Sequence, residues 1–235
     1  MNLKTYTNIK IYFLFLATLI KRDFIQFLLK NMKFSKSQVY QDLFVIYYSK
    51  LKTNGKFIEI GGGNGIDLSN TYLHEKKYKW NGIICEPDSR LHKKISYIRD
   101  ATLVRDAVSS LCKKDIIFYK NNDPYSSSLK KMETKSKQFV TNTICLNHLI
   151  EFYNFGNNID YISIDTEGNE FDIIKKFNFK KYKVNFFTIE HNFKTILREK
   201  IFKIMKRNGY KRVFKYLSYM DDWYINTNID INDDK

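Results

Sequence analysis

The 235-residue sequence predicts an α/β fold, a doubly wound, mostly parallel sheet of seven strands whose last strand is antiparallel, preceded by an N-terminal helical extension. Three observations predict it. Short apolar runs at 56–60, 82–86 and 103–108 alternate with helix-length stretches, and the alternation resumes at 161–165 and 185–190. These runs have little polar alternation inside them, as expected of strands covered by helices on both faces. The runs at 212–216 and 223–225 have no helix between them, so they form an antiparallel hairpin at the sheet's edge.

Taken in order, residues 1–34 form the extension, 35–226 the domain and 227–235 a polar, acidic tail that frays. The apolar run 11–20 is half the ~20 residues that a membrane-spanning helix needs. Charge follows it (Lys21-Arg22-Asp23) where a secretory signal would have small residues and a cleavage site. With 24–29 it makes an interrupted amphipathic helix or a helical pair, Phe24, Phe27 and Leu28 sharing one face, which packs on the domain; contact with a membrane surface is the second reading. A helix at 36–50 precedes the first strand, and Pro87 stops the second. A further strand is expected at 115–119. The polar segment 121–136, with Pro124 and several serines, is expected to be a mobile loop of the kind that covers substrates. Helices follow at 147–155, 170–177 and 194–208, the last stopped by Gly209.

A formal charge of +15 suits an anionic partner, but the lysines are spread along the chain, which suits a solvated surface better. Cys85, Cys112 and Cys145 form no C-x-x-C pair and are odd in number, so neither a zinc site nor a disulfide framework is expected. The expected location is the cytoplasm, with membrane association through the extension as the variant.

The chemistry gathers around Glu59 to Gly65, E-I-G-G-G-N-G, between the first strand and the next helix. Glycines there let a ligand approach the backbone, and the helix behind them offers unpaired N–H groups. Neither Gly61 nor Gly63 starts a G-x-G-x-x-G, which argues against NAD or FAD. Glu86, ending the second strand about 20 residues on, is placed to hold two ribose hydroxyls. Glu59, Glu86, Asp106, Asp165 and Glu190 all end strands, and ligands of open α/β sheets bind at that edge. Thr166-Glu167-Gly168 and His191-Asn192 follow the later strand ends.

The pattern acidic-x-G-x-G-x-G (Glu59, Gly61, Gly63, Gly65) resembles the first motif of class I, Rossmann-like S-adenosylmethionine-dependent methyltransferases. Over roughly 35–225 the chain resembles the FkbM-type methyltransferases, on Ser37-Gln38, Gln41-Asp42, the glycine loop, Ser69-Asn70-Thr71, 80–87, I-D-Y-I-S-I-D-T-E-G-N-E at 159–170, 188–193 and 221–224. The resemblance implies S-adenosylmethionine as cofactor and methylation of a hydroxyl on a sugar, glycoconjugate or natural-product-like small molecule. Glu59, Gly61, Gly63, Gly65, Glu86, Asp106, Ala107 and Asp165 are then the cofactor residues. His191 is the expected base, with Glu190 and Asp165 as its catalytic companions, and Gln38, Asp42, Glu167 and Asn192 meet the substrate. No metal is assigned, although Asp165, Glu167, Glu190 and Asn192 offer the hard oxygen donors that Mg²⁺ or Ca²⁺ takes. Nucleic acid is not expected as partner, because acids after the fourth strand repel phosphate. An RNA methyltransferase and a non-catalytic binding module on the same scaffold are the alternatives, and the oligomeric state is open.

Overall fold

The computed structural model describes residues 22–120, 129 and 137–229. The apolar run 11–20, nearly all of the expected loop at 121–136 and the end of the tail lie outside the described residues. The described residues begin with α1 (Arg22–Asn31), a short 3₁₀ turn and α2 (Gln41–Tyr48). It continues through β1 (Lys56–Ile60), α3 (Tyr72–Tyr78), β2 (Asn81–Cys85), α4 (Ser89–Ile98) and β3 (Thr102–Val104). Next come β4 (Ala107–Ser109), β5 (Lys113–Lys120), β6 (Lys137–Cys145), α5 (Leu146–Phe152), β7 (Asn158–Ile164) and α6 (Glu170–Lys176). The last elements are β8 (Lys183–Glu190), α7 (Thr195–Arg207), β9 (Tyr210–Val213) and β10 (Asp221–Asn226).

The main sheet has seven strands in the order β3-β2-β1-β7-β8-β10-β9. Pairing is parallel from β3 through β8, and β10 is antiparallel to both β8 and β9, so the terminal hairpin closes the edge as expected. The order reverses between β1 and β7. At such a switch point the loops leaving the carboxyl ends of the two strands splay apart and leave a crevice.

Alternation along the strands divides the core into two layers. On β1, Phe57 faces the layer of α1 to α4, and Ile58 and Ile60 face the layer of α5 to α7. Trp223, Tyr224 and Ile225 alternate in the same way on β10. Phe44 stacks on Trp223 at 4.8 Å and Phe24 on Phe214 at 4.8 Å, which anchors α2 and α1 to the β9–β10 end. Burial of Phe24 and Leu28, at about 1.5–3 kcal/mol each, explains why this part of the extension packs on the domain. Among the described residues no helix is long and apolar enough to cross a membrane.

The fold departs from expectation in three places. The single strand expected at 103–108 is two, because the charged Arg105-Asp106 pair ends β3 and the chain then leaves the main sheet. β4 pairs instead with β6, which also carries β5, in a separate three-stranded sheet ordered β4-β6-β5. β6 has no counterpart among the expected elements. The helix expected at 36–50 starts only at Gln41, since Ser35, Lys36 and Ser37 fold onto the Asp42 carboxylate and Tyr40 is left-handed at φ 66°. At the base of the small sheet the Cys112 and Cys145 sulfurs face each other at 3.0 Å, both as free thiols.

Candidate active site

A cavity of about 340 Å³ opens at the carboxyl edge of the main sheet, over the switch point between β1 and β7. Its floor is the glycine loop, Ile60 to Gly63. Gly61 is left-handed (φ 86°), and a Cβ there would lie 1.8 Å from the Asp165 carbonyl oxygen, so only glycine lets the β1 and β7 ends approach this closely. At Gly62 a Cβ would meet Ile84 at 2.2 Å. Gly61 and Gly62 both donate their N–H to the Cys85 carbonyl, and Gly63 N–H donates to Glu86 Oε2 at 2.9 Å.

Glu86 leaves the end of β2 and lines the cavity. Its other oxygen accepts from Asp88 N–H at 2.8 Å, so two backbone donors aim the carboxylate. Burial pushes its carboxyl up to about 8, against the two hydrogen bonds that favour the ionised form. Beside it Cys85, Pro87, Ala107, Val108, Phe118 and Leu129 make an apolar wall, partly supplied by the small sheet. Across the floor, Asn70 donates from Nδ2 to Ser163 at 2.9 Å, and its buried Oδ1 has no protein partner.

The far end is acidic. Asp165, Glu167 and Glu190 line it with Gln38, Gln41, Thr166, Asn192 and Met220. Asp165 and Glu190 both have raised proton affinity, first through burial and then through neighbouring carboxylates. Asp221, Glu167 and Glu170 act on Asp165, where a hydrogen bond with Glu190 offsets part of the rise, and Asp165, Glu167, Glu170 and Asp221 act on Glu190. Asn192 (φ 45°) donates to Glu167 Oε2 (Glu167 φ 58°) at 3.3 Å, a contact between two left-handed residues. Strained backbone of this kind collects at functional loops. Gln41 donates to Asp221 Oδ2 at 2.6 Å, and burial lifts the Asp221 carboxyl to about 7.

Of the residues expected from the sequence, Gln38, Gly61, Gly63, Glu86, Ala107, Asp165, Glu167, Glu190 and Asn192 line this cavity. Five others are turned away from it. Glu59 is wholly engaged behind the loop, where Ser69 and Thr71 hydroxyls and Asn70 N–H donate to it and Arg99 lies 3.5 Å away. Gly65 packs under the Arg99 side chain and gives it a carbonyl acceptor at 2.9 Å. Asp42 is buried in the turn made by Ser35 to Ser37. Asp106 sits at the break between β3 and β4, half-buried and outside the cavity lining.

His191 is the main correction. The ring is buried, Nδ1 accepts Phe193 N–H at 3.1 Å and Nε2 lies 3.1 Å from the Asp221 carbonyl, which assigns the proton to Nε2. Burial lowers its proton affinity further, so the imidazole joins the β8 and β10 ends and does not face the cavity. Gln41 and Asn70 line the cavity and Glu170 and Asp221 sit at its acidic end, none of them assigned from the sequence. Gln41 and Asn70 both lay within motifs already singled out, Gln41 one residue from Asp42 and Asn70 in the Ser69-Asn70-Thr71 segment, where no position was assigned.

The family model of the methyltransferase FkbM domain matches residues 59–212, from the glycine loop to β9. The chain belongs to the FkbM methyltransferase family. It is thereby an S-adenosylmethionine-dependent methyltransferase, in agreement with the expectation from its motifs. Among curated proteins no sequence matches it. Similar solved structures include a precorrin-6y C5,15-methyltransferase from Geobacter metallireducens, at 11% identity over 78% of this chain and 85% of that one, with a TM-score of 0.44. A methyltransferase from Pyrococcus furiosus shows 12% identity over 79% and 81%, TM-score 0.42. Aeropyrum pernix fibrillarin with natively bound S-adenosyl-L-methionine shows 9% over 74% and 66%, TM-score 0.40. Likeness at this distance says nothing of the methyl acceptor, and it leaves nucleic acid and small molecules equally open.

The residues present in this FkbM methyltransferase fit the cofactor. With the cofactor bound, Glu86 would present its carboxylate to a pair of ribose hydroxyls, the apolar wall would take the adenine, and the orphaned Asn70 Oδ1 would accept from a donor such as the methionine ammonium. Bound S-adenosylmethionine supplies an electrophilic methyl; the protein supplies its alignment with the acceptor.

Proposed function

We propose that this enzyme methylates a hydroxyl of an uncharged, polyhydroxylated acceptor, a sugar, glycoconjugate or natural-product-like small molecule. One observation supports it above others: the cavity lining carries Asp67, Glu86, Asp165, Glu167 and Glu190, three side-chain amides near the acceptor end, and, among the described residues, no lysine or arginine. Carboxylates and amides together donate to and accept from neutral hydroxyls, whereas carboxylates without a cation repel a phosphodiester. The net charge of +15 favours a nucleic acid, but among the described residues none of that charge lines the cavity.

In this reading Gln38, Gln41, Glu167 and Asn192 orient the acceptor, and the Asp165–Glu190 pair lies where the hydroxyl proton must leave. Positioning of oxygen, methyl and sulfur in line contributes most of the acceleration. The test is transfer of tritium from methyl-labelled S-adenosylmethionine to a panel of neutral glycosides and, separately, to total RNA. Label in a glycoside as an alkali-stable methyl ether is expected. Label in RNA with none in any glycoside contradicts the proposal.

A further inference from the structure

Three elements bring one carboxylate each together at the acidic end of the site: Asp165 just after β7 and Glu190 closing β8, which line the cavity, and Glu170 opening α6, buried behind them. One oxygen from each lies within 4.8 Å of the other two. The chain has 40 lysines and arginines, yet among the described residues none forms an ion pair with any of the three. Glu190 is only 4% exposed, lines the cavity, and its Oε2 has no hydrogen-bond partner. An unpaired buried carboxylate oxygen is costly. Glu59, equally buried, shows how the fold ordinarily treats such a group, with four donors around it.

We propose that Asp165, Glu170 and Glu190 hold one divalent cation of the hard, oxygen-preferring class, Mg²⁺, Mn²⁺ or Ca²⁺. Such ions bind oxygens at roughly 2.0–2.6 Å and so bridge donors about 4–5 Å apart. A set made only of carboxylates excludes soft metals. Glu170 is fixed for the role, because its Oε1 accepts from Thr166 N–H, Thr166 Oγ1 and Gly168 N–H at 2.8–2.9 Å, the outer hydrogen bonding typical of ligating carboxylates. The set differs from the one the sequence offered. Glu167 and Asn192 are turned to each other at the cavity wall, and Glu170, hidden in the sequence as a helix opener, replaces them.

Three protein oxygens leave open positions on a six- to eight-coordinate ion. Toward the cavity these positions suit an acceptor with two neighbouring hydroxyls, held bidentately. That function of the ion rests on the proposed methyltransferase reading, whereas binding of the ion does not. The test is titration of Mn²⁺ into the purified protein, followed by loss of the free-ion electron paramagnetic resonance signal. One Mn²⁺ per chain, displaced by Mg²⁺ or Ca²⁺, is expected. Glu190→Gln and, as a second variant, Asp165→Asn should each weaken binding at least tenfold, with Glu151→Gln on the exposed face as control. No saturable uptake, or undiminished affinity in folded Glu190→Gln, overturns the site. S-adenosylhomocysteine titrated into the same samples separates the two questions: its binding without Mn²⁺ uptake sinks the ion alone, and Mn²⁺ uptake without its binding sinks the cofactor reading alone.

Discussion

Gly61→Ala measures how much the close approach of β1 and β7 matters. Gly61 and Gly156 have nearly the same backbone, at φ 86° and 85°, but different surroundings. A Cβ at Gly156 has only Lys56 Nζ, at 3.5 Å, within reach, so Gly156→Ala carries little beyond the left-handed penalty of about 1–2 kcal/mol. At Gly61 the same Cβ would stand 1.8 Å from the Asp165 carbonyl oxygen, and at least 3.0 Å is needed. The end of one strand must therefore move by about 1.2 Å, against the bonds from Gly61 N–H to Cys85 O at 3.0 Å and Asp165 N–H to Ile60 O at 2.9 Å. Overpacking of this kind adds about 1–3 kcal/mol, so Gly61→Ala should lose roughly 2–5 kcal/mol in all. Urea unfolding of both variants reads the difference, and titration of S-adenosylhomocysteine reads its effect on the floor of the cavity. Equal stability losses for the two variants, with cofactor affinity retained in Gly61→Ala, would refute the reasoning.

Arg99 is buried between Glu59, at 3.5 Å, and Glu75, at 3.1 Å; Arg99→Met leaves two buried carboxylates and should cost about 3–5 kcal/mol in thermal or chemical unfolding. His191→Asn should lower methyl transfer less than tenfold, because the ring is outside the cavity lining, whereas loss of a true general base costs about 10²–10⁴-fold; the kcat of a folded variant decides. Glu86 titrates near 8 in the fold against 4.5 ordinarily, so it holds a proton the unfolded chain has lost, and its contribution to stability, full below pH 4.5, is lost as pH rises through 8. Ribose hydroxyls donate best to the ionised form. S-adenosylhomocysteine binding at neutral pH should therefore release a proton, seen as a buffer-dependent calorimetric heat that Glu86→Gln abolishes.

The glycine loop was legible because left-handed backbone narrows the residue choice to glycine, and Glu86 because it ends a buried strand at the expected distance from that loop. Glu59 carries the same strand-end signature. What separates them is tertiary: Arg99, forty residues on, and the turn at 69–71 claim Glu59. The His191 assignment overlooked alternation, since with Glu190 facing the cavity its neighbour turns the other way. Helix geometry separates Gln41 from Asp42 likewise, the first lining the cavity and the second buried beneath Ser35 and Ser37. β6 was illegible because only Thr143 and Ile144 of its nine residues are buried and its outward positions include Gln138, Val140 and Asn142, so it shows no apolar run.

The central claim is that the cavity over the β1–β7 switch point holds S-adenosylmethionine against Gly61 to Gly63 and Glu86. Calorimetric titration of S-adenosylhomocysteine into the intact protein, beside Gly63→Arg to fill the floor, tests it most directly. One site per chain, lost in a folded Gly63→Arg, is the predicted result. No binding by the intact protein, or binding that survives the arginine, would contradict it.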